Sequence, residues 1–163
     1  MNPNEVAYVE AHGTGTKVGD PEETKGLEEI FCNGRKSALP IGSVKSNIGH
    51  SEPSAGLNSL TKVIIAMETG YIPPNINFDT PNKDIPGFFN GKLRVVCETE
   101  PLNGDLVALN SFGFGGANAH VILQRHNKTK KAIEDPNHLP YLVTLSGRTE
   151  ESMISLFYGV SMC

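Results

Sequence analysis

The chain has 163 residues, 38% of them hydrophobic, and a formal net charge of -4. That is enough for a globular domain with a sizeable core, while the acidic balance and the lack of a Lys/Arg stripe exclude a nucleic-acid backbone as principal partner. Cys32, Cys97 and Cys163 fit neither a disulfide framework nor a Cys-x-x-Cys metal site, no apolar run reaches the ~18 residues of a membrane span, and Met1-Asn2-Pro3-Asn4-Glu5 lacks a signal-peptide pattern. A reducing, cytoplasmic setting without membrane contact is expected. This devalues the glycosylation acceptor Asn127-Lys128-Thr129.

Val6-Ala7-Tyr8-Val9 is short, apolar and followed by glycines, which predicts a buried strand that delivers His12 at its end. Asp20-Pro21-Glu22-Glu23 then has an acidic residue in N-cap position, proline at the first helical position and a following carboxylate, the start of a helix. Leu27, Ile30 and Phe31 give that helix an apolar face, and Asn33-Gly34 ends it. Leu39 to Val44 predicts a second strand, with Lys45 to His50 as loop behind it. A second helix is predicted from about Ser54 to Thr69, with Leu57, Leu60, Ile64 and Met67 on one face and Gly70 closing it.

Strand, polar loop and helix thus occur twice, and open α/β architecture gathers functional loops at the carboxyl ends of its strands. Both histidine segments are expected in one crevice. Tyr71 to Gly91 is rich in Pro and Asn and predicts an ordered meander; Leu93 to Val96 predicts a short strand. Leu106 to Phe112 and Ala119 to Leu123 flank a glycine loop as a hairpin. Beyond Gln124 the charged run through Lys128-Thr129-Lys130-Lys131 marks a boundary and reads as a solvated linker. A new strand at Tyr141 to Leu145 and a helix opening near Thr149-Glu150-Glu151 follow it.

Three glycine segments carry the candidate chemistry. His12-Gly13-Thr14-Gly15-Thr16 and Gly42-Ser43-Val44-Lys45-Ser46-Asn47-Ile48-Gly49-His50 bring two histidines and a lysine to strand ends. A neutral imidazole donates from one nitrogen and accepts at the other, so such a pair suits electrophilic or acid/base work. Lys45 would keep a nearby imidazole neutral or bind an acyl or carboxylate oxygen. Thr14 and Thr16 suit hydrogen bonding to an extended polar ligand. Gly113-Phe114-Gly115-Gly116 is either a plain hairpin turn or a mobile loop that gates a pocket and donates a backbone N-H to a developing oxyanion. Taken singly, each histidine segment reads more readily as structural than as catalytic. Zinc spacing is absent around His12 and His50, and no P-loop ending follows the first glycine segment; no metal is expected.

In their order and spacing, Glu10 to Thr16 with Gly19-Asp20-Pro21, Gly42 to His50, and Asn110 to His120 resemble the C-terminal half of a β-ketoacyl synthase, over roughly residues 4 to 124. His50-Ser51-Glu52-Pro53 and the Pro/Asn meander look closer to the animal-type multifunctional fatty acid synthase than to polyketide modules. The stretch from His138 to Met153, including Leu145-Ser146-Gly147-Arg148-Thr149, is similar to the start of a linker joining ketosynthase to acyltransferase. The resemblance implies a thiolase-like layered α/β fold, of which residues 1–124 are the C-terminal half and residues 125–163 the start of an α/β linker domain.

The activity it implies is decarboxylative Claisen condensation of malonyl-acyl carrier protein with an acyl thioester, by fatty acid synthase or alternatively a polyketide synthase. A non-catalytic fragment that only binds a partner is a further alternative. His12 and His50 match the catalytic histidines and Lys45 the lysine that organises the site. Thr14 and Thr16 match contacts to the phosphopantetheine arm, and Phe114 the gating aromatic whose backbone N-H serves the oxyanion hole, on a loop with Gly113, Gly115 and Gly116. The partners implied are acyl carrier protein, which carries the substrate on phosphopantetheine, malonyl and acyl thioesters, and a second subunit; the domain itself holds no cofactor.

Two departures stand beside the match. The family's nucleophilic cysteine lies in the N-terminal half, and none of the three cysteines here has a nucleophile-elbow context, so the isolated chain is expected to be inactive. Ser59 stands where bacterial relatives carry a glutamate nine residues after the second histidine, which leaves the partner of Lys45 open.

Overall fold

The computed structural model describes residues 1–126 and 149–154. The chain divides into two compact units, Met1–Asn127 and Lys128–Cys163. In the first, strands β1 (Val6–Glu10), β2 (Leu39–Gly42), β4 (Leu93–Val95), β6 (Leu106–Phe112) and β7 (Asn118–Gln124) form one sheet in the order β4-β2-β1-β6-β7. The first four are parallel and β7 closes one edge as the antiparallel arm of a hairpin with β6. Strands β3 (Tyr71–Ile72) and β5 (Glu100–Pro101) pair separately as a two-stranded ribbon.

Alternation along the strands splits the core in two. Val6, Val9, Leu39, Ile41, Leu93 and Ala108 point to one face, where Leu27 and Phe31 of helix α1 (Gly19–Phe31) cover them. Tyr8, Val107 and Leu109 point to the other, where Leu60, Val63 and Met67 of helix α3 (Ala55–Thr69) pack. Burial of both faces is why the central strands read as continuous apolar runs. Within residues 1–126 the predicted strands, both long helices and the β6–β7 hairpin are present, and Gly70 ends α3 with a left-handed φ of 80°.

Several expectations fail in detail. Lys45–Ile48 is a short helix, α2, rather than loop. Asp20 is not the N-cap of α1; Val18 holds that position without a side-chain cap bond, and Asp20 reaches back to the backbone N-H groups of Gly15 and Thr16 at 3.1 and 3.3 Å. Ile30 is 57% exposed and so does not belong to the buried face of α1. In α3 the buried positions are Ala55, Ser59, Lys62, Val63 and Ala66, while Leu57 and Ile64 lie exposed. The meander also contains β3 and a 3-10 turn at Pro86–Phe88. Residues 150–154 are helical, as the Thr149-Glu150-Glu151 start predicts; the strand expected at 141–145 and Cys163 lie outside the described residues.

A buried charge cluster ties the layers together. Glu10, at the end of β1, is fully buried; its Oε2 accepts from Lys62 Nζ of α3 and from the Tyr8 hydroxyl, both at 2.7 Å. Its Oε1 accepts from Val44 N at 2.5 Å, immediately before α2. One carboxylate therefore joins the strand end before His12, the turn before Lys45 and the helix behind the sheet. Beside it, the Tyr8 hydroxyl is held well above its ordinary pKa, first by burial and then by the charge of Glu10. Removing one member of such a pair leaves an uncompensated charge, at a cost of about 3–5 kcal/mol. Lys62→Met is expected to lower the denaturation midpoint accordingly, and Glu10→Gln added to it to restore part of the loss; chemical unfolding of the two variants measures both.

Candidate active site

Three strand ends converge at the carboxyl edge of the sheet. His12 follows β1, Lys45 and His50 follow β2, and Phe112 ends β6. The His12 and His50 rings meet edge to face with centroids 5.6 Å apart, and the Phe112 ring lies 5.5 Å from His12. They line an open groove of about 820 Å³ together with Thr14, Thr16, Phe114 and Gly113.

Backbone donors set the tautomer of both histidines. Phe112 N-H donates to His12 Nδ1 at 3.3 Å, and Glu52 N-H donates to His50 Nδ1 at 3.0 Å. A nitrogen that accepts carries no proton, so each ring holds its hydrogen on Nε2. The site presents two neutral imidazole donors. Burial pushes the His12 pKa below its ordinary value, and the Lys45 charge pushes the same way; Glu23 opposes them without prevailing.

The loop bearing His12 is fixed by a carboxylate. Glu23 of α1 accepts from His12 N at 2.7 Å and from Gly13 N at 2.9 Å. Gly13 has a φ of +48°, and a Cβ there would sit 2.9 Å from Ser43 Cβ, so both conformation and space require glycine. Lys45 is half-buried; burial lowers its pKa, and its Nζ has no hydrogen-bond partner among the described residues. Neither Lys45 nor a cysteine lines the groove. Ser59 Oγ is likewise buried and unpartnered among the described residues, so it does not bond Lys45.

Thr14 and Thr16 stand on the groove rim, their hydroxyls 3.5 Å apart, and Thr16 Oγ1 also accepts from Gly19 N. Gly113 to Gly116 form a tight turn, closed by Gly116 N donating to Gly113 O at 2.9 Å and Gly113 N to Ala117 O at 2.8 Å. Gly116 takes a φ of +87°, and the Phe114 side chain projects fully into solvent. Cys32 is the buried C-cap residue of α1, its thiol donating to Lys92 O at 3.4 Å, and burial raises its pKa; Cys97 is exposed. Among the described residues no three His, Cys, Asp or Glu side chains gather as a metal site, and no helix is long and apolar enough to cross a membrane. The sequence alone does not single out Glu10, Glu23, Asn110 and Lys62, since the bonds Lys62–Glu10 and Asn110–Glu23 join distant parts of the chain; the acidic residue at the end of an apolar strand is the one local signal for Glu10.

A three-layer α/β unit with two neutral N-H donors at its strand ends is built to hold an oxygen on which negative charge develops. The chain belongs to the β-ketoacyl synthase family. Residues 1–79 match the family described as "Beta-ketoacyl synthase, C-terminal domain", and residues 81–162 that of "Ketoacyl-synthetase C-terminal extension". The highly reducing polyketide synthase sdnO of Sordaria araneosa is 42% identical over 94% of this chain and 5% of its own length. The hybrid PKS-NRPS synthetase pytA of Aspergillus terreus is 45% identical over 93% of this chain and 26% of its own. Among solved structures, ketosynthase twelve of the bacillaene polyketide synthase from Bacillus amyloliquefaciens aligns with TM-score 0.73 and 33% identity, over 99% of this chain and 28% of that one. The ketosynthase from module 6 of the Bacillus subtilis bacillaene synthase aligns with TM-score 0.71 and 36% identity, over 78% of this chain and 24% of that one. The chain thus has the thiolase-like ketosynthase fold of its C-terminal part and spans about a quarter of these ketosynthase chains. These relatives are polyketide synthases, so they do not support the expected closeness to animal-type fatty acid synthase.

Because Lys45 disfavours the imidazolium form, Lys45→Met is expected to raise the His12 titration midpoint toward its ordinary value of 6.5. An NMR titration of the imidazole reads this, and an unmoved or lowered midpoint contradicts it. The depressed pKa also implies stability that is present above the ordinary value and lost as pH falls through the folded one.

Proposed function

We propose that this chain supplies the histidine half of a condensing site that joins a malonyl unit to an acyl thioester in a polyketide synthase. The observation that carries the reading is the pair of imidazoles with Nδ1 engaged by backbone N-H groups and, among the described residues, no partner on Nε2. Rings 5.6 Å apart can direct both donors at one thioester oxygen, each at ~2.9 Å. In the proposed reaction the malonyl thioester loses carbon dioxide, and the electron pair of the broken C-C bond becomes an enolate whose oxygen the two N-H groups stabilise. The enolate carbon attacks the acyl thioester on the synthase nucleophile, the new C-C bond forms, and the sulfur leaves as thiolate. Neutral histidines suit this step because they stabilise negative charge without protonating the carbon nucleophile.

Lys45 acts in this scheme through its charge, by keeping His12 neutral. Thr14 and Thr16 on the rim suit hydrogen bonding to the phosphopantetheine arm of an acyl carrier protein. The N-H of Phe114, in a turn open to solvent, serves the acyl oxyanion once that turn closes on substrate. Neither described cysteine is placed as nucleophile, so the acyl group is carried by a cysteine from another part of the synthase. The free thiols fit a reducing, cytoplasmic setting. Residues 125–163 serve as the start of a linker to the next domain, and the assembled synthase works as a dimer.

A fatty acid synthase is the second reading, resting on the resemblance of His50-Ser51-Glu52-Pro53 to the animal-type enzyme. The chemistry is the same and the product separates the two: a fully reduced chain indicates fatty acid synthesis and retained oxygenation a polyketide. In the complete synthase, His12→Ala and His50→Ala are each expected to lower malonyl decarboxylation about 10²–10³-fold, the usual cost of losing one oxyanion donor. Release of labelled carbon dioxide measures it; turnover at the unmodified rate in both variants overturns the reading.

A further inference from the structure

We propose that Ser43 is a positioning residue for decarboxylation, the tie that holds the His12 segment and the Lys45–His50 segment at one spacing so that both imidazole donors meet one oxygen. The inference rests on the condensing reading above and concerns a side chain that does not line the groove. Ser43 directly follows β2 and is 6% exposed. Its hydroxyl donates to the His12 carbonyl at 3.3 Å and accepts from Lys45 N at 3.4 Å, so a single O-H serves both segments. Its carbonyl accepts from Ser46 N at 3.1 Å and from the Ser46 hydroxyl at 3.0 Å, which starts α2 on the same residue.

The strands alone do not set this spacing. β1 and β2 stay paired as far as Ala11 N, which donates to Gly42 O at 2.8 Å. Beyond that point, among the described residues, Ser43 Oγ to His12 O is the one hydrogen bond that joins residues 12–16 to residues 43–50. The turn from which it acts is anchored at three successive amides: Ser43 N donates to Asn75 Oδ1 at 2.9 Å, Val44 N to Glu10 Oε1 at 2.5 Å, and Lys45 N to Ser43 Oγ. Asn75 belongs to the Pro/Asn meander, which thereby takes part in the site. The two segments also touch, since a Cβ on Gly13 would sit 2.9 Å from Ser43 Cβ. Alanine at position 43 keeps that contact but leaves the His12 carbonyl without its donor and Lys45 N without its acceptor. Two donors that must converge on one oxygen depend on their separation, whereas a single donor does not. The rings, 5.6 Å apart, are therefore the part of the site that loss of the hydroxyl disturbs.

The test is a mutant cycle in the complete synthase, read by release of labelled carbon dioxide from malonyl thioester. Ser43→Ala alone is expected to lower the rate about tenfold, less than the ~10²-fold cost of a full 1 Å misplacement because Glu10 and Glu23 still hold their own segments. Added to His12→Ala or to His50→Ala, where one donor remains and no spacing has to be kept, it is expected to change the rate by no more than about twofold. Loss of a merely structural residue would instead multiply through in every background. An unchanged rate in Ser43→Ala, or a further loss of about tenfold in either single-histidine background, overturns the inference. Asn75→Ala, which frees the Ser43 amide from outside the groove, runs through the same cycle and decides the matter if Ser43→Ala does not fold. If the unmodified synthase releases no carbon dioxide from malonyl thioester, the condensing reading itself fails, which is a separate result.

Discussion

Two carboxylates, Glu10 and Glu23, hold the site together, and the deeper of them, Glu10, is the one on which the rest depends. Its ion pair with Lys62 is almost wholly removed from water, with side-chain exposures of 0% and 7%. Such a pair is poor value as a source of net stability, because desolving two ions offsets most of their attraction. What it supplies is registration. The carboxylate accepts from Lys62 on one side and from Val44 N on the other, so β1, α2 and α3 cannot slide against one another without stranding a charge. His12 and Lys45 are delivered from the two ends of that tie.

The electrostatics of the groove follow from where these charges stop. Lys62 is consumed by Glu10 and Tyr8, while Lys45, half-buried, is left with an unpaired ammonium among the described residues. Its positive charge and the burial of His12 together outweigh Glu23, even though Glu23 hydrogen bonds to the His12 peptide. Distance and bonding atom explain the outcome: Glu23 is bonded to the backbone of His12, not its ring, and its charge is shared among three N-H donors. The result is an imidazole that stays neutral and can only donate from Nε2.

Much of this was legible in the sequence, and the parts that were not share a physical cause. The strands, the two long helices and the convergence of the glycine segments follow from periodicity and from glycines at strand ends, which are local signals. Residues 45–48 were expected as loop because one helical turn is too short to show a period. An apolar side chain does not by itself mark the inner side, which is why Leu57, Ile64 and Ile30 lie exposed; α3 buries the small residues Ala55, Ser59 and Ala66 beside Val63 and leaves Leu57, Ile64 and Ile65 outside. Small residues there let helix and strand approach closely: a Cβ on Gly56 would come within 2.9 Å of Ser111 Oγ. The ties from Glu10 to Lys62 and from Glu23 to Asn110 span 52 and 87 positions, and a single sequence shows no pairing at that range.

The openness of the groove bears on the chemistry. Hydrogen-bond donors stabilise a developing enolate strongly only where water is excluded and their field is unscreened. Here His50 and the turn bearing Phe114 are exposed, and the His12 wall alone is partly buried. The donors are already oriented by backbone N-H groups, so orientation needs no further help. Dryness does. A synthase that used this wall would gain its rate by covering it, since closing off water strengthens both N-H contacts at once and leaves their geometry as it is. The division of labour is then physical: β1, β2 and β6 with their two carboxylates supply preorganised donors, and whatever covers the groove supplies the low dielectric that makes those donors effective.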